Sequence, residues 1–391
     1  MFNLFFKKKK RSLLPLYIMA FFLALSVALP AYIQSSYLGS YIGLSAVTWF
    51  FIISNIISVL TILGFPSFIR KFGSYLSAGI ITVVFLLSLL GLGMSSNIFF
   101  LLLSFIVMQV AMGLIWINMD LFVESFSKNS TTGQTRTIYF TIINLAWIIS
   151  PGLSSYILRL DDYSLVFFIA AFILVPFLTT FILSARDIKH KIANHKNKVS
   201  VMVAKMFKNK NLRGVFVLAL LLNLFYNSAV IFIPIYLHQV IGFSWQDLGW
   251  MFSLMLIPFI LIEIPAGIIA DKYLGEKELF YLGFSIIIVC LVFFSLITST
   301  SPWLWALLLF LSRVGAALVE AMSETYFFKN VGGRDIYKIN IFRCSIPLGR
   351  VIGSLLSLLL LIILPLRYLF AFTALILLTS FYYLEGMKDT K

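Results

Sequence analysis

The run LSRVGAALVEAMSETYFFKN (Leu311–Asn330) places Arg313, Glu320 and Glu324 at i, i+7 and i+11. At 3.6 residues per turn these three share one helical face within about 20°. A guanidinium in an apolar run binds an anion or a carboxylate, and carboxylates at depth take up protons. Either the three form an internal salt bridge that fixes packing, or they make a polar track in which Arg313 meets a bound solute. A second run, IFRCSIPLGRVIGSLLS (Ile341–Ser357), holds Arg343 and Arg350 seven residues apart, again on one face. Its Gly349 and Gly353 form a small-xxx-small pair that lets another helix approach closely. A third run, IEIPAGIIADKYLGEKE (Ile262–Glu278), buries Glu263 among apolar residues and ends on Asp271-Lys272. Counted from their helix ends, Glu263, Glu320 and Arg343 lie at similar depth. On depth alone a Glu263–Arg343–Glu320 cluster can form, with Arg343 the candidate partner of Glu263, and an unpaired buried charge would cost more than a paired one.

Two further polar sets stand in apolar runs. Gln109, Asn118, Asp120 and Glu124 fall in one span. Asp120 and Glu124 approach its basic end, where Arg70, Lys71 and Arg136 are available as partners. Asn223, Tyr226 and Asn227 sit at i, i+3 and i+4 at mid-span. Two amides and a phenol can orient a small polar solute or bond neighbouring helices. Trp116 and Trp147 can wall a site. His238 is expected at a membrane interface, and Cys290 and Cys344 in apolar packing. No metal-ligand cluster, nucleophile–base pair or phosphate loop appears, so neither an enzyme nor a cofactor is expected.

The elements that position these groups follow from composition. The chain has 391 residues, 61% hydrophobic and 12% charged, with 40 phenylalanines, and its mean hydropathy is +1.01. Apolar stretches of roughly twenty residues cross a bilayer as helices. Twelve are expected: about Leu13–Gln34, Leu44–Ile69, Tyr75–Met94, Ile98–Phe122, Thr137–Leu158, Leu165–Ser184, Gly214–Val240, Leu248–Ala270, Leu279–Thr298, Pro302–Phe327, Ile341–Ile363 and Leu366–Leu384. A membrane barrel would instead need short alternating strands. The net charge of +15 is not a nucleic-acid signature, because its placement is asymmetric. Of thirty Lys and Arg, only Arg159 and Arg367 fall in odd-to-even connections. Arg313, Arg343 and Arg350 fall within spans, and the other twenty-five lie at the termini or in the remaining connections. By the positive-inside rule both termini are then cytoplasmic. The basic start and apolar run to Pro30 are expected to form an uncleaved first helix rather than a signal peptide.

Arg186–Arg213 carries nine basic residues and splits the spans six and six. The expected organisation is a six-helix bundle over 1–185, a basic cytoplasmic linker over 186–213 and a second six-helix bundle over 214–391. The linker forms either an amphipathic helix on anionic lipid or a basic tether. The halves echo each other. Gln109 and Asp120 are eleven residues apart, as are Arg313 and Glu324, at an offset of 204. Lys128-Asn129 recurs as Lys329-Asn330 at 201, and Gly73 recurs as Gly275 at 202. Ordered, near-constant offsets indicate duplication. Interior charges cluster in spans 4, 8, 10 and 11, which should face inward, since an ionisable group at depth costs roughly 2.5–3.5 kcal/mol even on mild scales. Spans 3, 6, 9 and 12 have none and can face lipid.

Gly267, Asp271, Lys272, Gly275 and Lys277 resemble the cytoplasmic loop signature of the major facilitator superfamily, roughly Gly-x-x-x-Asp-Arg/Lys-x-Gly-Arg/Lys, with one extra residue before the second glycine. They lie between spans 8 and 9, one of the two places where that family carries it. The other place reads GFPSFIRKFGSYL and lacks the acid. Arg313 with Ala317 resembles the family's Arg-x-x-x-Gly pattern displaced from span 4, where Gln109 and Gly113 stand. SPGLSS (Ser150–Ser155) keeps only the proline of an antiporter pattern. Glu124, Gly133 and Arg136, and Glu324, Gly333 and Arg334, look like degraded loop motifs.

The resemblance implies an all-α membrane protein of twelve transmembrane helices in two pseudo-symmetric six-helix bundles, the major facilitator fold. Spans 1, 4, 7 and 10 would line a central cavity, and spans 2, 5, 8 and 11 would join the halves. Asp271 would cap the start of span 5, near Arg136, in a latch with Gly267, Lys272, Gly275 and Glu124. The cavity set is Gln109, Trp116, Asn223, Tyr226, Asn227 and Arg313. The buried charge or proton-coupling set is Asp120, Glu263, Glu320, Glu324, Arg343 and Arg350. The expected function is secondary active transport of a small organic solute by alternating access, coupled to protons. The alternatives are efflux of amphipathic compounds or lipid, and a non-transporting sensor or assembly factor on the same scaffold. The expected partners are a small-molecule substrate, membrane lipid and protons, without nucleic acid. A monomer in the plasma (cytoplasmic) membrane is expected.

Overall fold

A computed structural model of the chain describes residues 13–94, 97–126, 132–160, 162–185, 199–331 and 336–388. Among them all regular structure is helical. In chain order the helices are α1 (Leu14–Ala28), α2 (Gln34–Ile42), α3 (Leu44–Met94), α4 (Ile98–Phe126), α5 (Thr132–Ile157), α6 (Tyr163–Ser184), α7 (Val199–Lys208), α8 (Lys210–Asn227), α9 (Ile233–Ile235), α10 (Trp245–Lys272), α11 (Glu276–Leu296), α12 (Pro302–Val331), α13 (Ile336–Arg343), α14 (Ser345–Leu361), α15 (Tyr368–Leu377) and α16 (Thr379–Glu385). Ten helical stretches among the described residues are long and apolar enough to cross a membrane.

The breaks have local causes. Helix α3 has 51 residues, roughly 75 Å at 1.5 Å per residue and more than twice a bilayer's hydrocarbon core. It turns at Gly73, whose φ of 79° and ψ of 160° are non-helical. Gly275, its counterpart in the sequence repeat, also has positive φ, 145°, at the turn before α11. Both sites need a backbone that side-chain-bearing residues rarely adopt. Pro30 has no N–H to continue α1, and a run of turns over 29–33 carries the chain into α2. Around Pro234 the helix widens into π-helical turns over Ser228–Phe232 and Tyr236–Ile241. A turn residue, Cys344, separates α13 from α14, with Pro347 in the first turn beyond.

Two apolar cores form. One is built almost entirely from residues before 186, around Phe85, Phe105, Phe122, Phe167 and Phe177. The other is built almost entirely from residues after 201, around Phe225, Phe284, Trp305, Tyr326 and Phe370. Across the halves, α10 packs along α5 and α14 packs along α3. Close contact is possible because small residues meet there and beside it. A Cβ on Gly249 of α10 would lie 2.2 Å from Ser155 Oγ of α5. A Cβ on Gly349 of α14 would lie 2.4 Å from the Leu220 carbonyl oxygen of α8. Gly353, one turn on, sits against Asn227. The small-xxx-small pair thus docks α14 on α8.

Large apolar side chains cover the outside. Phe172 and Leu183 of α6 are 75% and 84% exposed. Exposed apolar residues also occur on spans that carry interior charge, such as Phe99 at 66%. In the central connection, α7 packs against α8 and α13 and buries Met206. Residues 186–198 of that connection lie outside the described residues.

Candidate functional site

Between the halves lies a cavity of about 380 Å³, within the roughly 300–1,000 Å³ common for small-molecule sites. Gln109 and Trp116 reach it from α4, Asn223 and Tyr226 from α8, and Arg313 and Glu320 from α12. Asp120, Glu263, Arg343 and Arg350 also line it. The two repeat-related positions, Gln109 and Arg313, therefore face one space from opposite halves. Trp147 adds a wall and meets Tyr32 edge-on at 6.3 Å.

The charges divide into two kinds. Arg343, the last residue of α13, makes a two-pronged contact with Glu324 of α12. One prong, from Nη2 to Oε2, is 3.1 Å long. Its Nε lies 3.3 Å from Asp120 Oδ2 of α4, so this guanidinium joins the two halves. Glu324 does not line the cavity itself. The second kind is held by hydrogen bonds and ring contacts without a described ion pair. Arg313 is 1% exposed, with its Cζ 5.0 Å from the Phe225 ring centroid. Its Nη1 donates to Ser312 Oγ at 3.3 Å, and the Tyr32 phenol faces it. Glu320 accepts a 2.5 Å hydrogen bond from the Tyr226 hydroxyl, and Glu263 accepts one of 3.3 Å from Asn144 Nδ2. Among the described residues, Arg313, Arg350, Glu263 and Glu320 are in no ion pair.

Three expectations change. Glu263 and Glu320 make no described ion pair with Arg343, although Glu320 lies within its electrostatic reach. Depth along a helix gives an axial coordinate only, and lateral packing sets Glu263 of α10 against Asn144 of α5. Among the described residues Asp120 pairs with Arg343 and not with Arg70 or Lys71, and the side chain of Arg136, the third candidate, lies outside them. Arg70 instead donates to the Tyr337 hydroxyl and to Ser67 Oγ, each at 2.8 Å, and Lys71 lies over the Phe72 ring. Asn227 does not line the cavity; it hydrogen-bonds Ser354 of α14 at 2.9 Å and serves helix packing. In the expected latch, Gly267 lies within α10 and Gly275 precedes α11. The side chains of Glu124, Arg136, Asp271 and Lys272 lie outside the described residues.

Several interacting residues, in the cavity and beyond it, escaped the sequence reading. Asn144 is a lone amide in an apolar run, and Gln34, bonded to Gln109 at 3.3 Å, sits just past the Pro30 break. Glu276 is 1% exposed and binds Lys329 at 2.6 Å, tying the start of α11 to the end of α12. The Lys329-Asn330 repeat was the only trace of that pair. His238 anchors its connection by a 2.8 Å contact with the Phe243 carbonyl and a ring contact with Trp245 at 4.4 Å. Cys290 and Cys344 are free and buried.

Comparison with known proteins places this geometry. A solved POT family transporter in complex with 5-aminolevulinic acid superposes with a TM-score of 0.79 at 14% identity, covering 96% of this chain and 95% of that one. A second, a POT family transporter in complex with a thioalcohol-conjugated peptide, gives a TM-score of 0.73 at 14% identity, with 94% of each chain covered. At that identity the likeness concerns the fold alone. No curated protein matches the sequence. The family model of the Major Facilitator Superfamily matches residues 16–335 and 246–389, nearly the whole chain, and the chain belongs to that superfamily.

Proposed function

We propose that this chain is a secondary active transporter of a small organic zwitterion, working by alternating access and coupled to protons. The observation that carries this reading is that one cavity holds two cations and two carboxylates that are in no described ion pair. Arg313 and Arg350 offer guanidinium donors to a carboxylate, and Glu263 and Glu320 offer acceptors to an amine. A guanidinium fork matches a carboxylate bidentately, and such charge-assisted bonds strengthen where water is scarce. Gln109, Asn223 and the two tryptophans supply orientation and apolar walls. The solved relative that holds 5-aminolevulinic acid, a molecule with both an amine and a carboxylate, supports the same class.

In this reading the chain crosses the bilayer twelve times. The crossings are the two arms of α3 about Gly73, the broken α1–α2, α8–α9 and π-helical segment, α13–α14 and α15–α16, and the six remaining long helices. Residues 1–185 and 214–391 act as the rocking units, and 186–213 joins them. The basic end faces the cytoplasm at the plasma membrane, and the protein works as a monomer without enzymatic activity. Glu320, gripped by the Tyr226 hydroxyl, is the coupling carboxylate, because substrate amine and proton compete for it.

The test is flux. Purified protein in vesicles under an imposed proton gradient should accumulate labelled amino acids or short peptides. A sensor on this scaffold would move none under any gradient. Glu320→Gln should lose uphill accumulation while keeping exchange of substrate across the membrane. Equal loss of both, or loss of neither, rejects the coupling role.

A further inference from the structure

A second opening lies away from the central cavity, at the end of the molecule poor in basic residues. It is a groove of about 560 Å³ between α5 of the first half and α10 and α12 of the second. Gly152 and Ser155 of α5 and Ser253 of α10 line it without filling it. A Cβ added to Gly152 would meet only Ser253 Oγ, at 3.5 Å, so the floor is open. Apolar side chains such as Leu254 and Ile257 complete the walls.

The mouth is aromatic on both sides. Tyr156 is 65% exposed and Trp303 73% exposed, and the Trp250 and Trp303 ring centroids are 4.8 Å apart. Tyr and Trp mark the level where acyl chains meet headgroups. Above the slot stands Arg159, its Cζ 5.2 Å from the Tyr156 ring centroid, with Gln246 opposite on α10. Arg159 is one of two basic residues in the odd-to-even connections of this +15 chain. It is in no ion pair among the described residues. From the bilayer's middle outward, the order is apolar slot, aromatic collar, guanidinium. A phospholipid has the complementary order of acyl chain, glycerol and phosphate.

We propose that this groove binds one phospholipid with an anionic headgroup, drawn from the leaflet on the basic-poor side. Its phosphate meets Arg159 and Gln246, with the guanidinium donating to phosphate oxygens. One acyl chain lies in the surface groove that α5, α10 and α12 form. These helices belong to opposite halves, so the lipid bridges surfaces that must move relative to each other. Lipid composition then biases which arrangement of the halves is populated, since a ligand favours the state it binds better. The lipid site itself stands apart from the central cavity, while its bias on the halves rests on the alternating-access reading proposed above.

Native mass spectrometry of the full chain tests the proposal, with phosphatidylglycerol and phosphatidylcholine of identical chains as probes. Wild-type protein should retain one phosphatidylglycerol at least ten-fold better than phosphatidylcholine. Arg159→Gln should remove that preference without lowering the thermal unfolding midpoint, and Arg159→Lys should keep part of it. Gly152→Leu, which fills the slot, should reduce retention of both lipids. Equal retention of the two lipids by wild type overturns the proposal. So does a preference that survives Arg159→Gln, or retention that Gly152→Leu leaves unchanged.

Discussion

Arg343 and Arg313 are both arginines in helices of one membrane chain, and both line one cavity, yet their surroundings are opposite. Arg343 is flanked by Glu324 and Asp120, and its charge is answered within the protein. Arg313 has an aromatic face, a hydroxyl and a phenol, but no described carboxylate. The same contrast divides the acids. Asp120 and Glu324 are ion-paired with Arg343, while Glu263 and Glu320 are in no described ion pair and hydrogen-bond an amide and a phenol. Charge in the interior is costly unless answered. Where the fold answers it, the charge holds helices together. Where the fold leaves it open on both signs in one cavity, a dipolar ligand can answer it. In the proposed reading one group has structural duty and the other binding duty, and each assignment can be broken separately.

The largest effect should come from Arg343→Ala. It removes the guanidinium that Glu324 and Asp120 share at the meeting of α4, α12 and α13. Losing one partner costs about 3–5 kcal/mol in a fully buried pair, and less in this partly exposed one. The thermal unfolding midpoint in detergent should fall steeply. Adding Asp120→Asn and Glu324→Gln should recover most of the loss, because no stranded charge then remains. An Arg343→Ala protein that keeps its midpoint but loses solute binding would reverse the two duties.

Arg313→Ala should act on binding instead. Loss of one charged partner of a desolvated pair costs about 2–5 kcal/mol, so apparent affinity for a zwitterion should drop at least ~30-fold. The midpoint should hold or rise, because the lost ring contact, worth about 0.5–2 kcal/mol, is offset by removal of an unanswered cation. Arg313→Lys keeps the charge without the fork and should fall between. Unchanged transport and specificity in Arg313→Ala would remove this residue from the site.

Much of this contrast was legible before any coordinates, and the gaps have physical reasons. A polar residue in an apolar span must face protein or a cavity, and that rule pointed to Gln109, Asn223, Tyr226 and Arg313, which line the cavity. It could not separate Asn227 from Tyr226. Adjacent residues point about 100° apart on a helix, and this one turns toward Gly353 of α14, where the missing side chain leaves room. Partners were less legible than positions. Helix rise gives depth, but which neighbour lies beside a residue depends on packing, so Glu263 met Asn144 rather than Arg343. Glu276 was invisible because a carboxylate at the start of a helix ordinarily reads as exposed, and Lys329 lies 53 residues away. The Gly73–Gly275 repeat was legible because a turn requiring positive φ constrains residue type directly.

The smallest effect calibrates the scale, because it concerns a carboxylate whose duty is local. Asp162 precedes α6 outside the membrane-spanning segments and accepts from the Ser164 backbone N–H at 2.8 Å and from its hydroxyl at 2.5 Å. The Ser164 hydroxyl bond, aided by backbone N–H groups at the helix start, holds this carboxyl below its ordinary range. A carboxyl whose folded pKa is depressed contributes stability above its unfolded pKa, near 4, and loses it as pH falls through the folded pKa. Asp162→Ala should therefore lower stability at neutral pH by about 1 kcal/mol, an N-cap loss. The gap between variant and wild type should narrow as pH drops below about 4. Solute affinity should not change at any pH. A transport defect in Asp162→Ala, or a stability gap that persists in acid, would mean that this cap reaches further than its own helix, and that local and cavity carboxylates are not separable in this protein.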